Sequence, residues 1–235
     1  MSLPKRVLVT GGGTGIGYAI AEELVQRGSE VIICGRRRRV IERAAAQIGA
    51  TPLSGDITGP PEPLLQAVGP IDGLVHNAGS QFPEALGEWT EQSWSDLWRV
   101  HLMGPALLSQ AFAAQCDGPG AIVAVSSTLA VRPAPGAAAY SCAKAGVLAL
   151  IRSLALELAP KKIRANAVLP GVVPTAMTRR TEGDMDPEAR LEFLETLHPL
   201  GLGEPENVAQ AVVALLENPW VTGAALEVDG GMLSS

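Results

Sequence analysis

Tyr140 and Lys144, in Tyr140-Ser141-Cys142-Ala143-Lys144, stand four positions apart at the start of a long apolar stretch. Residues at that spacing share one face of a helix, so a phenol and an ammonium group are neighbours. A free phenol titrates at about 10 and is a poor base at neutral pH. A cation beside it favours phenolate and brings it toward the range where protons are given or taken. Upstream, Val125-Ser126-Ser127 ends an alanine- and valine-rich run with hydroxyls. If that run is a strand, Ser127 at its carboxyl end reaches the same small-molecule oxygen, because open α/β sheets hold ligands there. Taken alone, a Tyr-x3-Lys pair is an ordinary helix face. Its setting decides its weight.

The setting includes a glycine turn, Thr10-Gly11-Gly12-Gly13-Thr14-Gly15-Ile16-Gly17, directly after the first valine-rich run. Glycine permits positive φ and lets backbone come close to a pyrophosphate. The helix that follows presents free N–H groups and a partial positive charge to phosphate. The spacing is Gly-x3-Gly-x-Gly, not the general GxGxxG, and many strand-to-helix turns carry glycine for geometry alone. Its place in the first βα unit favours nucleotide binding by Gly11, Gly13, Thr14, Gly15, Ile16 and Gly17.

The second apolar run ends at Cys34-Gly35 and is followed by Arg36-Arg37-Arg38-Arg39. A fold that prefers NAD carries Asp or Glu near this point, to accept from the ribose 2′-hydroxyl. Four arginines at a helix start instead face the positive end of its dipole and repel one another. A bound 2′-phosphate relieves both problems, with Arg36 as first contact and Arg37 beside it. That favours NADP(H), with NAD(H) as the alternative. A solvated basic turn accounts for some of the four.

These groups need a scaffold. Valine- and isoleucine-rich runs at Arg6–Thr10, Glu30–Cys34, Gly73–His76, Ala121–Ser126, Ile163–Leu169 and Ala224–Val228 read as strands buried on both faces. Helical patterns at Ile16–Arg27, Arg38–Ile48, Gln92–Gln115, Ala137–Leu158 and Pro205–Leu216 lie between them. Repeated β-α-β units predict a doubly wound α/β fold, its mostly parallel sheet covered by helices on both faces. Prolines 60, 61 and 63 keep any helix in Thr58–Pro70 short. No linker divides the chain, so residues 1–235 form one expected domain. The mixed stretch at about 172–204 is placed as a lid over the strand ends.

The bulk composition agrees. Hydrophobic residues make up 47% and charged residues 18% of the 235, which fits a folded globular protein. A net charge of −6 without a basic stripe gives no attraction for nucleic acid. The short apolar run at the N-terminus is neither a signal peptide nor a membrane span. Cys34, Cys116 and Cys142 form no CxxC pair, and His76, His101 and His198 are isolated, so no metal site is expected. A reducing, cytoplasmic setting follows.

At this point the chain resembles the short-chain dehydrogenase/reductase family over nearly its whole length. Thr10–Gly17 is similar to TGxxxGxG, His76-Asn77-Ala78-Gly79 to NNAG, and Tyr140/Lys144 with Ser127 to the family's Ser and YxxxK. Asn166, Pro170-Gly171 and Thr175 resemble its N…PG…T pattern, and Val228-Asp229-Gly230-Gly231 its last strand end. The resemblance implies a Rossmann-type, seven-stranded parallel sheet. It makes Tyr140 the acid/base, with Lys144 on the nicotinamide ribose and Ser127 polarising the substrate oxygen. Asp56, beside Ile57, holds the adenine, and Asn77, Ala78 and Gly79 support the cleft. Val172 and Thr175 contact the carboxamide, with Pro170, Gly171 and Val173 adjoining. It implies no metal, and a homotetramer or homodimer joined through helices Gln92–Gln115 and Ala137–Leu158. Trp89, Trp94 and Trp98 pack in the core or at a subunit contact, and Trp220 belongs to an interface.

Departures are visible too. His101 stands where the family carries an Asn that supports a water relay to the lysine. Two readings stay open: a relay with altered pH behaviour, or a structural histidine filling a helix kink. Pro199–Pro205 lacks the Arg of PLGRxGEP. Two functions follow. One is hydride transfer between a nicotinamide cofactor and a secondary alcohol or ketone, including 3-oxoacyl reductase-like chemistry. The other is a catalytically silent cofactor-binding regulatory or scaffold protein. Leu129, Val172 and Val173 favour an apolar ketone; Arg179 and Arg180 either meet a carboxylate or phosphate or are simply solvated.

Overall fold

The apolar runs become strands because nearly every side chain on them is buried. Val7, Leu8 and Val9 of β1 (Arg6–Thr10) are wholly inaccessible, as are Ile122 and Val123 of β5 (Gly120–Val125). In the computed structural model, which describes residues 3–178 and 186–235, these join β2 (Glu30–Gly35), β3 (Thr51–Ser54), β4 (Gly73–His76), β6 (Ile163–Pro170) and β7 (Ala225–Val228). Each pairs in parallel, giving one seven-stranded sheet in the order β3-β2-β1-β4-β5-β6-β7.

Helices cover both faces. On one side α1 (Gly15–Gln26), α2 (Arg38–Ile48) and α8 (Pro205–Glu217) enclose Ile20, Leu24, Ile33, Val123 and Val212. On the other, α3 (Pro61–Val68), α5 (Gly104–Gln115) and α6 (Ala138–Glu157) enclose Leu8, Leu74, Phe112, Ile122 and Ile151. Helix α6 is long and apolar enough to cross a bilayer, but Val147, Leu148 and Ile151 are buried against the sheet.

Three elements differ from the sequence reading. Strand β3 was not among the expected runs, because Thr-Pro-Leu-Ser is half exposed at the sheet edge, where proline's missing N–H is tolerated. The helix expected over Gln92–Gln115 is broken into α4 (Glu91–Trp98), a π-helical turn Arg99–Met103, and α5. Pro105 explains the break: it has no N–H for the His101 carbonyl, and the Gly104 N–H bonds back to Arg99 instead. Within the lid stretch, Pro187–Glu195 forms helix α7, capped by Asp186, whose carboxylate accepts the N–H groups of Glu188 and Ala189. Arg179 and Arg180 lie outside the described residues.

Candidate active site

The strand order reverses between β1 and β4, and the crevice at their carboxyl ends is where an open α/β sheet receives a ligand. A cleft opens there. It is lined by the glycine turn, the ends of β2 and β3, the Asn77-Ala78-Gly79 run and Thr175.

Glycine is required in the turn for space as much as for conformation. A Cβ on Gly17 would stand 2.3 Å from both the Gly11 carbonyl oxygen and Asn77 Nδ2, and one on Gly11, at φ +68°, 2.8 Å from the Ala78 Cα. The missing side chains let Asn77 donate through Nδ2 to the carbonyls of Thr10 and Gly11, each at 3.2 Å. The Thr10 hydroxyl in turn accepts the N–H groups of Asn77 and Ala78. Asn77 therefore pins the turn. Thr14 at the start of α1 makes no side-chain capping bond, so the helix's first N–H groups lack that partner. This cradle fits a dinucleotide pyrophosphate.

The four arginines divide. Arg36 and Arg37 line the cleft, whereas Arg38 pairs with Glu42 at 2.7 Å on the surface and Arg39 is exposed. Asp56 lines the same end. Burial raises its pKa, but bonds from the Thr58 N–H and hydroxyl, together with the charge of Arg36, outweigh that and hold it below its ordinary value.

At the end of β5, Ser127 starts a short 3-10 turn, and its Oγ accepts the Leu129 N–H at 3.1 Å. Its hydroxyl also meets the Tyr140 phenol on α6. Lys144 is buried, its Nζ donating to the Val125 carbonyl at 2.7 Å and lying 5.5 Å from the Tyr140 ring centroid. The three expected residues are thus together. Their charges are not those expected. Burial pushes the phenol up to about 12, against the bond from Ser127, and lowers Lys144 to about 7. Desolvation disfavours both charged forms and overrides the mutual attraction that would have produced phenolate.

His101 packs edge-on to Tyr140, with ring centroids 5.1 Å apart. Its Nε2 lies 2.6 Å from the Ser80 carbonyl oxygen and 3.2 Å from the Ser80 N–H, and Nδ1 has no hydrogen-bond partner. Burial first, then the charge of Lys144, lower it to about 3, against the Ser80 bond, so the ring is neutral. It does occupy the helix break, as one reading had it. It also shares with Lys144 and His76 the wall of a void with room for about one water.

Several expected cofactor residues do not line the cleft, Tyr140 and Lys144 among them. Val173 is buried in the core, Pro170 ends β6, and Gly171 and Val172 pack against His198. Asn166 ties β6 to the approach to β7, donating to the Val221 carbonyl and accepting the Ala224 N–H. Cleft residues that the sequence reading did not assign to the cofactor are Cys34, Gly35, Val40, Ile41, Gly55, Val100, Ala176 and Met177. Most sit beside recognised motifs, and adjacency was the only signal they carried. Trp94 packs partly buried near Tyr140, whereas Trp89 and Trp98 are 42% and Trp220 is 95% exposed.

Comparison with known proteins agrees with this geometry. The family model described as enoyl-(acyl carrier protein) reductase matches residues 11–233. The chain is 35% identical to human dehydrogenase/reductase SDR family member 4, over 97% of this chain and 87% of that one. It is 34% identical to a 3-oxoacyl-[acyl-carrier-protein] reductase of Rattus norvegicus, over 98% of both. A crystal structure of a short-chain type dehydrogenase/reductase from Mycobacterium marinum superposes with a TM-score of 0.89 at 27% identity, covering 98% of this chain and 96% of that one. A doubly wound sheet, a glycine cradle at its switch point, a Ser-Tyr-Lys cluster at the end of β5 and full-length relatives all agree: the chain belongs to the short-chain dehydrogenase/reductase family, oxidoreductases that use nicotinamide cofactors.

Proposed function

We propose that the chain is an NADP(H)-preferring carbonyl reductase or alcohol dehydrogenase acting on a secondary alcohol/ketone pair, with 3-oxoacyl compounds among its substrates. The observation that carries the cofactor choice is the end of β2, where Arg36 and Arg37 line the cleft and Gly35 stands where an NAD-preferring site has a carboxylate. A 2′-phosphate meets Arg36 there, with the adenine beside Asp56 and Ile57. The glycine turn holds the pyrophosphate, and Thr175 faces the reactive end.

A bound nicotinamide supplies or accepts the hydride. Ser127 holds the substrate oxygen, and Tyr140 gives it a proton in reduction, for which the protonated phenol is the competent form. Lys144, bonded to the Val125 carbonyl, has its Nζ 5.5 Å from the centroid of the Tyr140 ring, where it would hold the nicotinamide ribose. His101 orients the phenol edge-on. The described parts of the lid stretch, residues 172–178 and 186–204 with α7, cover the substrate within a single domain.

Free Cys34, Cys116 and Cys142 support a reducing, cytoplasmic location. Exposed Trp98, Met103, Leu107 and Leu156 along α4 to α6 support a homodimer contact, and exposed Trp220 and Leu226 near β7 support the second contact of a tetramer.

The test follows absorbance at 340 nm with NADPH or NADH and a carbonyl panel that includes acetoacetyl-CoA and aromatic ketones. NADPH is preferred at least about tenfold, and Arg36→Ala removes most of that preference, as loss of a charged phosphate contact implies. Equal or better use of NADH overturns the assignment.

A further inference from the structure

His198 is buried and makes two bonds that fix its chemistry. Its Nδ1 lies 2.7 Å from the Leu194 carbonyl of α7, and its Nε2 accepts the Val172 N–H at 3.0 Å. A carbonyl only accepts and an amide only donates, so Nδ1 carries the proton and Nε2 is bare. One neutral tautomer satisfies both. The surroundings are shaped for it: a Cβ on Gly171 would stand 2.7 Å from Nε2.

The residues on either side of this ring matter. Val172 is held from both ends, its carbonyl accepting the Gly203 N–H at 3.1 Å. It begins a loop locked by Thr178, whose hydroxyl donates toward the carbonyls of Val173 and Thr175 and accepts the Thr175 N–H. The loop runs to Thr175, which lines the cleft and lies so near the glycine turn that a Cβ on Gly15 would sit 3.2 Å from Thr175 Cγ2. On the other side, α7 has no buried described residue, so apolar packing contributes little to its position.

We propose that His198 is a positioning residue that latches α7 to the Val172–Thr178 loop, setting lid and reactive end as one unit; this rests on reading that loop as the nicotinamide end of the cofactor site. The latch holds its shape without touching substrate. It does not line the cleft that Arg36 lines, so it acts on catalytic geometry and leaves the choice between cofactors untouched.

Two variants and one spectrum test it. His198→Phe keeps an aromatic ring and removes both bonds, whereas His198→Gln keeps a donor and an acceptor. With acetoacetyl-CoA, or whichever panel carbonyl is turned over fastest, His198→Phe lowers kcat/KM about tenfold, as loss of two hydrogen bonds implies. The loss lies mainly in KM for the carbonyl, the NADPH-to-NADH ratio stays at the wild-type value, and His198→Gln recovers part of it. Long-range 1H–15N correlation on the wild type, assigned by the signals lost in His198→Phe, shows the proton on Nδ1. Wild-type kinetics in His198→Phe, or a proton on Nε2, overturns the latch while leaving the cofactor reading intact. Failure of wild-type protein to bind NADPH or NADH overturns both.

Discussion

Gly79 has no side chain because His101 occupies the space: a Cβ there would lie 2.4 Å from the imidazole Cε1 and 3.1 Å from Nδ1. Gly79 has no positive φ that would exclude other residues, so the imidazole is the obstacle. The glycine of the Asn-Ala-Gly run and the histidine of the helix break are therefore a matched pair. Gly79→Ala destabilises the fold by about 1–3 kcal/mol through overpacking. Paired with His101→Asn, a smaller side chain, it costs less than the two single substitutions added together. A double-mutant cycle in urea reads the coupling. Simple additivity would mean that the clash relaxes elsewhere.

The same histidine and its neighbour make the protein sensitive to acid. Burial lowers His76 and His101 from an ordinary 6.5 to about 3 each, with the charge of Lys144 adding to the effect on His101. Both are neutral when folded, and His76 Nε2 bonds the Ser109 hydroxyl at 2.8 Å. Between pH 6.5 and about 3 the unfolded chain binds protons that the folded chain refuses. The stability they contribute is complete above 6.5 and is lost as pH falls through that window, by about 1.4 kcal/mol per pH unit for each imidazole. His76→Asn and His101→Asn should each flatten the acid limb of a pH–stability curve, relative to wild type with its carboxylates unchanged. An acid limb of unaltered slope would mean that the imidazoles take up protons without unfolding.

Much of this was legible in the sequence where one side chain sets the outcome. Arg6–Thr10 and Arg38–Ile48 form as read, because unbroken apolar runs and a clear amphipathic face leave little choice. The glycine turn, Arg36, Asp56, Ser127, Tyr140 and Lys144 all converge on one end of the sheet. What was missed depends on backbone or environment. Thr51–Ser54 pairs as an edge strand in spite of Pro52, and α7 buries no described residue, so neither carries a hydrophobic period. The kink at His101 was one of the two readings, but Pro105, the residue behind it, lay unread inside a helical pattern. Residue types alone promised an ionised Tyr140–Lys144 pair, yet burial keeps the phenol protonated and lowers the lysine to about 7. His198 has only backbone carbonyl and amide partners, which no sequence pattern encodes.

The decisive substitution is Tyr140→Phe, because it removes one hydroxyl and little else. The ring's edge-on contact with His101 and its packing near Leu97 and Trp94 need no oxygen, so the variant should fold and bind NADPH as wild type does. Without the phenolic proton, carbonyl reduction loses its acid, and kcat falls about a hundredfold to ten-thousandfold. Raising the pH cannot restore it, whereas for a displaced but intact phenol it would shift the profile. Two other results carry different meanings. Wild-type turnover that survives in Tyr140→Phe would move the acid/base role to another group and dissolve the Ser127–Tyr140–Lys144 assignment. Tight NADPH binding by the wild type, with no carbonyl on the panel reduced and Tyr140→Phe indistinguishable, would leave a dinucleotide-binding protein whose replacement of Asn by His101 accompanied the loss of turnover.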